Sequence, residues 1–310
     1  MIIPSKIRAW FNRTAAFSLT VLSSLTLVPA TSIAAELQEP ITLSSKAGVL
    51  DVLMVARAAA LPNIPGQPQG WVYDICPRPA GNTLFCPTQG IAPNFYGGTL
   101  LKLQKGDTLK VRLVNRLPRI DDSDHAMEPG MEYLALNPTN IHTHGMLVTP
   151  NTPTAKDPTY GDYVFVLTFN SLNGGLVQTQ NTAHLTQNTT HLHADVRSDY
   201  TDYSIKIPAT HPSGLFWFHP HAHGVSLNQV TAGLSGLITV GNVTDYTDIG
   251  ATTPVKHMLI KDTQIRADGT LKDQEDPDFC APTPSPSEPA RRGACAGRDN
   301  SAENGGNYAG

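Results

Sequence analysis

The sequence predicts an all-β protein, a two-sheet sandwich or a Greek-key barrel, and three observations lead there. Short apolar and β-branched runs recur from about residue 36 to residue 241, bounded by Gly, Pro, Asn or Asp. Several of them alternate apolar and polar residues with the period of a half-buried strand. No long stretch carries the 3.6-residue period of a helix.

In order along the chain, residues 1–34 read as a secretory signal peptide. Lys6, Arg8 and Arg13 form a basic start, Thr14–Ala30 is apolar but broken by Ser and Thr, and Ser32-Ile33-Ala34 supplies small residues for cleavage after Ala34. An uncleaved anchor is the rival, but the run is short for a spanning helix. No other stretch could cross a bilayer, so export to the periplasm or the extracellular space is expected. Residues 35–242 form the main domain. Val49–Ala58 and Trp71–Ile75 are strand candidates. Gly97–Leu117 reads as a strand pair joined at a Gly106-Asp107 turn. Tyr163–Phe169, Tyr203–Ile207, Leu215–Phe218 and Gly233–Val240 complete the set. Residues 170–200, rich in Asn, Thr, Gln and Ser, read as a polar surface insertion. A second unit, 243–310, opens with a strand at Val255–Ile265 and then dissolves into Pro, Gly, Ser and Asn. One lone strand cannot bury a core, so the chain is expected to end inside its second domain.

Composition bounds the partners. With 310 residues and 40% hydrophobic content, the chain can bury a sizeable core. A net charge of −4 gives no electrostatic case for nucleic acid. Four cysteines suit an oxidising compartment. The local pairing is Cys76–Cys86 and Cys280–Cys295, although four cysteines allow three connectivities and buried free thiols are a further option. Asn188-Thr-Thr and Asn242-Val-Thr match the glycosylation pattern.

The chemistry concentrates in two stretches. Asn140-Ile-His-Thr-His-Gly145 holds His142 and His144; Gly-Leu-Phe-Trp-Phe-His-Pro-His-Ala-His-Gly, ending at Gly224, holds His219, His221 and His223. Side chains two apart on a strand leave the same face. His142 and His144 therefore share a face, and so do His219 and His221 if both are extended. Two such pairs on facing strands would put four imidazoles in one small space, where each lowers the basicity of the others and favours the neutral, metal-binding form. Imidazole-only sites suit copper or zinc better than calcium or magnesium. Gly145 and Gly224 would let another backbone approach. A lone His-x-His is ordinarily a pair of surface histidines, and that reading is kept for His184, His191 and His193 in the polar insertion. The duplication and the Phe-Trp-Phe run set the other two stretches apart.

Three of these segments resemble the multicopper oxidases, the laccase-like family built from cupredoxin domains. Gly97–Leu117 is similar to the family's Gly-Asp-Thr…Val-x-Leu-x-Asn-x-Leu strand pair, Asn140–Gly145 to its His-x-His-Gly copper motif, and Phe216–Gly241 to its Trp-Phe-His-Pro-His-x-His-Gly motif followed by Gly-Leu-x-Gly-Leu-Ile. The resemblance covers roughly Leu50 to Ile265 apart from the polar insertion. It implies a cupredoxin-like Greek-key sandwich. It also implies His142 as ligand of a type 2 copper, and His144, His219 and His221 as ligands of a type 3 pair. His223 lies outside that ligand set and is expected to support it. Asp162, in Tyr160-Gly-Asp-Tyr, is a candidate for proton delivery, against the plainer reading of a turn aspartate. The family's activity would be oxidation of a small reducing substrate, a phenol or a metal ion, with four-electron reduction of dioxygen to water.

The sequence also departs from the family. A type 1 copper site needs a His-Cys-His segment, and no cysteine here has a neighbouring histidine. The C-terminal histidine motifs are absent as well. The chain is thus expected to supply half of a trinuclear site, to be inactive alone, and to need a further cupredoxin domain to complete the cluster. The alternative is a non-catalytic exported copper-binding protein. A cupin would want a glutamate soon after His-x-His, and 145–151 has none. A zinc hydrolase could use three of the histidines with water, but the doubled motif argues against it.

Overall fold

In the computed structural model the described residues are 39–61, 64, 66–87, 98–120, 132–179, 182–185, 194–250, 252–261 and 265, with only the backbone described for 177–179 and 182–185. The signal-peptide segment, His191, His193, Asn188, Cys280 and Cys295 lie outside them. Thirteen strands follow in order: β1 (Ile41–Ser44), β2 (Val49–Ala60), β3 (Gln69–Pro77), β4 (Thr99–Leu103), β5 (Thr108–Arg116), β6 (His142–His144), β7 (Val166–Phe169), β8 (Leu176–Thr179), β9 (Thr182–Leu185), β10 (Asp195–Ser198), β11 (Tyr200–Lys206), β12 (Gly214–His219) and β13 (Gly236–Val240). The single α-helix among them, α1 (Ser226–Thr231), has six residues.

Two sheets make the sandwich, in the orders β1-β4-β13-β12-β6 and β11-β5-β2-β3. Both mix parallel and antiparallel neighbours: β4 runs parallel to β1 and β13, and β2 parallel to β5. Crossing between sheets in this way gives the cupredoxin-like Greek-key sandwich that the sequence implied. Strand alternation explains the core. On β2, Leu50, Val52, Met54 and Ala56 face the inter-sheet core, where they meet Leu109, Val111 and Leu113 of β5 and Phe218 and Ile238 of the other sheet. Leu53 and Val55 face the other way, and are still buried because Cys76, Leu84 and Cys86 cover them. The Cys76–Cys86 disulfide holds that cover in place, as the local pairing anticipated. Further along the outer face, Arg112 and Asp202 are directly opposed across β5 and β11 and form an ion pair at 2.7 Å, with Arg78 on the same carboxylate at 3.0 Å.

Three expectations change. Residues 99–116 do form two strands about Gly106, but these are no hairpin: β4 joins one sheet and β5 the other. Alternation fixes which residues point inward and is silent on which strand lies alongside. The described parts of the polar stretch 170–200 are more ordered than its composition suggests. β8 pairs with β9, β10 runs parallel to β7, and Leu176, Ala194 and Val196 pack on a second apolar cluster of Tyr133, Leu136, Phe169 and Val225. Val255–Lys261 forms no strand. Val255, Met258 and Ile260 are left exposed.

Candidate metal centre

β6 is the edge strand beside β12, and the register places His142 opposite His219 and His144 opposite Trp217. Opposed residues of an antiparallel pair share a face, as do residues two apart. His142, His144, Trp217 and His219 therefore project together. One ligand nitrogen from each of His142, His144 and His219 lies within 4.8 Å of the others. His144 Nδ1 is 3.2 Å from His219 Nε2. The anticipated convergence of two distant His-x-His segments is present in this geometry.

His221 reaches the same place by another route. The strand ends at His219, Pro220 follows, and strand alternation no longer applies. The backbone N–H of His221 instead donates to Asn140 Oδ1 at 2.6 Å. Its ring centroid lies 5.3 Å from that of His142 and 6.0 Å from that of His219. His223 is exposed, with its ring 5.3 Å from His221 and 5.6 Å from Phe165. It sits beside the cluster rather than in it. The side chain of His184, on β9, is not among those described.

Hydrogen bonds decide which nitrogens are available. His219 Nδ1 lies 2.8 Å from the Pro220 carbonyl, which can only accept, so Nδ1 carries the proton and Nε2 keeps its lone pair for the cluster. His142 Nδ1 faces Asp162 Oδ2 at 3.0 Å. The ring N–H is not aimed at that oxygen with hydrogen-bond geometry. The contact therefore works as a charge beside a dipole, and it leaves Nε2 of His142 as the ring nitrogen free for a metal. Asp162 Oδ1 accepts from Thr143 N at 2.9 Å, so the carboxylate is fixed as well. His221 Nδ1 is buried with no hydrogen-bond partner, an orphaned lone pair or N–H. Burial is the main cause of a lowered His219 pKa, down to about 4, helped by repulsion from His142, His144 and His221 and opposed by the Pro220 carbonyl. The pKa of His221 is lowered too, first by burial and then by His142 and His223. Both rings are neutral at pH 7 and ready to ligate.

The site also rests on residues other than the histidines of the two motifs. Trp217 stacks on His219 with ring centroids 4.1 Å apart and lies 5.0 Å from His144, so it walls one side of the cluster. His211 is buried with both ring nitrogens engaged: its Nε2 accepts from Leu147 N at 3.0 Å and its Nδ1 faces Pro212 O at 2.8 Å. It ties the loop after His144 to the segment before β12. Gln229 of α1 is fully buried and joins Asn137 Oδ1, Pro138 O and Thr139 Oγ1. Single Asn, Gln or His residues outside a pattern offer no signal in a sequence. The two glycines serve turns rather than a close backbone approach. Gly145 has φ +83° and Gly224 φ +89°, and a Cβ on Gly224 would lie 2.5 Å from the Leu134 side chain.

The fold and the cluster define a cupredoxin-like β-sandwich with a histidine cluster on the edge of one sheet that could hold a metal ion. No protein-family model matches the chain, and neither does any curated protein. Among solved structures, the chain is similar to the multicopper oxidase of the hyperthermophile Aquifex aeolicus, with 20% identity and a TM-score of 0.42 over 76% of this chain and 37% of that one. It is also similar to a metallo-oxidase from Campylobacter jejuni, described as a multicopper oxidase, with 17% identity and a TM-score of 0.36 over 66% of this chain and 29% of that one. A laccase from Pediococcus acidilactici has 17% identity and a TM-score of 0.36 over 67% of this chain and 30% of that one. The chain thus spans between 29% and 37% of the length of these three. No helix among the described residues is long and apolar enough to cross a membrane.

Proposed function

We propose that this chain is the N-terminal copper-binding part of an exported multicopper oxidase. In the whole protein, a small reducing substrate, a phenol or a metal ion, would be oxidised with reduction of dioxygen to water. The observation that carries the reading is the convergence of three imidazole nitrogens within 4.8 Å from two segments 75 residues apart. A donor set of imidazoles, with His219 Nε2 left open by its carbonyl-bound Nδ1 and a buried, unpartnered His221 Nδ1 nearby, fits copper. His142 would hold the type 2 ion; His144, His219 and His221 would hold the type 3 pair. Copper bound there supplies one-electron redox chemistry toward dioxygen. The chain's own residues do the rest: Pro220 fixes the His219 tautomer, Asp162 orients His142, and Trp217 shields one side of the rings. The remaining ligands would come from a further cupredoxin domain. A type 1 site is not encoded here, since no cysteine neighbours a histidine.

Copper titration of the 310-residue chain tests this. The chain is expected to bind Cu(II) without an intense blue thiolate band and without laccase-type turnover, and His219→Ala is expected to abolish the binding. Copper binding that ignores His142→Ala and His219→Ala would refute the assignment.

A further inference from the structure

We infer that Asn140 is a positioning residue of this centre, and that its side-chain amide sets where the fourth imidazole, His221, stands. The inference rests on the copper reading above. Asn140 precedes His142 by two residues, is fully buried, and has both ends of its amide engaged. Its Oδ1 accepts from His221 N at 2.6 Å, and its Nδ2 donates to Val164 O at 2.7 Å. Each bond reaches a different segment of the site. One holds the residue after Pro220, where the strand has ended and no ladder bond can fix the chain. The other holds the loop that carries Asp162, the partner of His142. A single side chain thus joins the three segments that carry His142, Asp162 and His221. β6 and β12 already align His142, His144 and His219 through backbone pairing. His221 lacks that support, and Asn140 replaces it. Outer partners of metal ligands of this kind change metal affinity by about 10- to 100-fold when removed.

The test uses the full chain with Asn140→Leu, Asn140→Asp and a control, Asn170→Leu. Asn170 is also buried and bridges Leu117 O and Leu172 N, with no contact to the histidines. In the metal-free protein, amide exchange at His221 is read by NMR. Protection is expected in the wild type, in the control and in Asn140→Asp, which keeps the acceptor oxygen, and is expected to be lost in Asn140→Leu. With Cu(II), pulsed EPR of Asn140→Leu should match that of His221→Ala, while the control keeps the wild-type spectrum even if it is equally destabilised. A protected His221 amide or a wild-type copper spectrum in Asn140→Leu would overturn the inference. So would an unprotected His221 amide in Asn140→Asp, which also decides the matter if the leucine variant does not fold. If the wild type binds no copper, the copper reading fails while the exchange arm still decides the role of Asn140.

Discussion

Asp162 offers the sharpest perturbation, because its two oxygens do different jobs. Oδ1 accepts from the Thr143 N–H at 2.9 Å, and Oδ2 stands 3.0 Å from His142 Nδ1. Asp162→Asn can keep the first contact, with its amide oxygen in place of Oδ1, and must change the second. An NH2 group would then face Nδ1 and favour a lone pair there, pushing the proton to Nε2, the nitrogen needed for the metal. Copper affinity should fall by about 10- to 100-fold, or ~1.4–2.8 kcal/mol, with little change in thermal stability. Asp162→Ala loses both contacts. It leaves a buried backbone N–H unsatisfied, which costs about 1–3 kcal/mol in addition. Competition titration with a copper chelator gives the affinities, and urea unfolding of the metal-free proteins gives the stabilities. Copper affinities of both variants within about twofold of the wild type would refute the orienting role. An Asp162→Ala variant as stable as the wild type would refute the edge role.

Three further outcomes are expected. His219 has its pKa lowered to about 4 from an ordinary 6.5, so as pH falls the unfolded chain takes up this proton first. The metal-free fold should therefore lose stability between about pH 6.5 and pH 4, by at most ~3 kcal/mol from this residue, and urea midpoints of His219→Gln should fall less steeply over that window. Gly224→Ala places a Cβ against Leu134 at a φ of +89°. It should destabilise by about 1–3 kcal/mol, seen as a lower Tm. Removing the Cys76–Cys86 bridge, whose ends are 10 residues apart, should cost about 2–3 kcal/mol in urea unfolding and leave copper binding intact, because the bridge lies on the sheet opposite the histidines.

Much of the fold was legible because strand periodicity is a local property. Val49–Ala58, Trp71–Ile75 and Leu215–Phe218 each carry their apolar pattern within a few residues, and each is a strand in the structure. Pairing is a long-range property, and there the sequence misled. The halves of Gly97–Leu117 look like a hairpin, yet they separate into opposite sheets, where β5 pairs in parallel with β2 and β4 with β13. The same division runs through the site. The clustering of His142, His144 and His219 was legible because two-residue alternation holds along β6 and β12. His221 was placed near them for a reason that fails at Pro220, and a buried asparagine does the work instead. The roles of Asn140, Trp217 and His211 were not legible, since the contacts that reveal them, to His221, His144 and Leu147, come from chain segments more than 60 residues away.

Asp162 sits at a bend, as its turn reading expects, and its carboxylate also stands beside His142; its candidacy for proton delivery is a separate matter from these contacts. β6 has three residues and only one neighbour, so the N–H of Thr143 on its open side has no strand to bond. An unpaired edge of this kind must be covered or it invites another chain. The bend at 161–162 supplies the cover: Gly161 lets it pass hard against Thr149, whose carbonyl accepts from Asp162 N, and Asp162 Oδ1 takes the Thr143 N–H. Because neighbouring residues on a strand face opposite ways, a carboxylate that reaches the edge at Thr143 stands next to His142. Closing the sheet and orienting the first imidazole are therefore the same structural act, and a variant that separates them must keep one oxygen while changing the other.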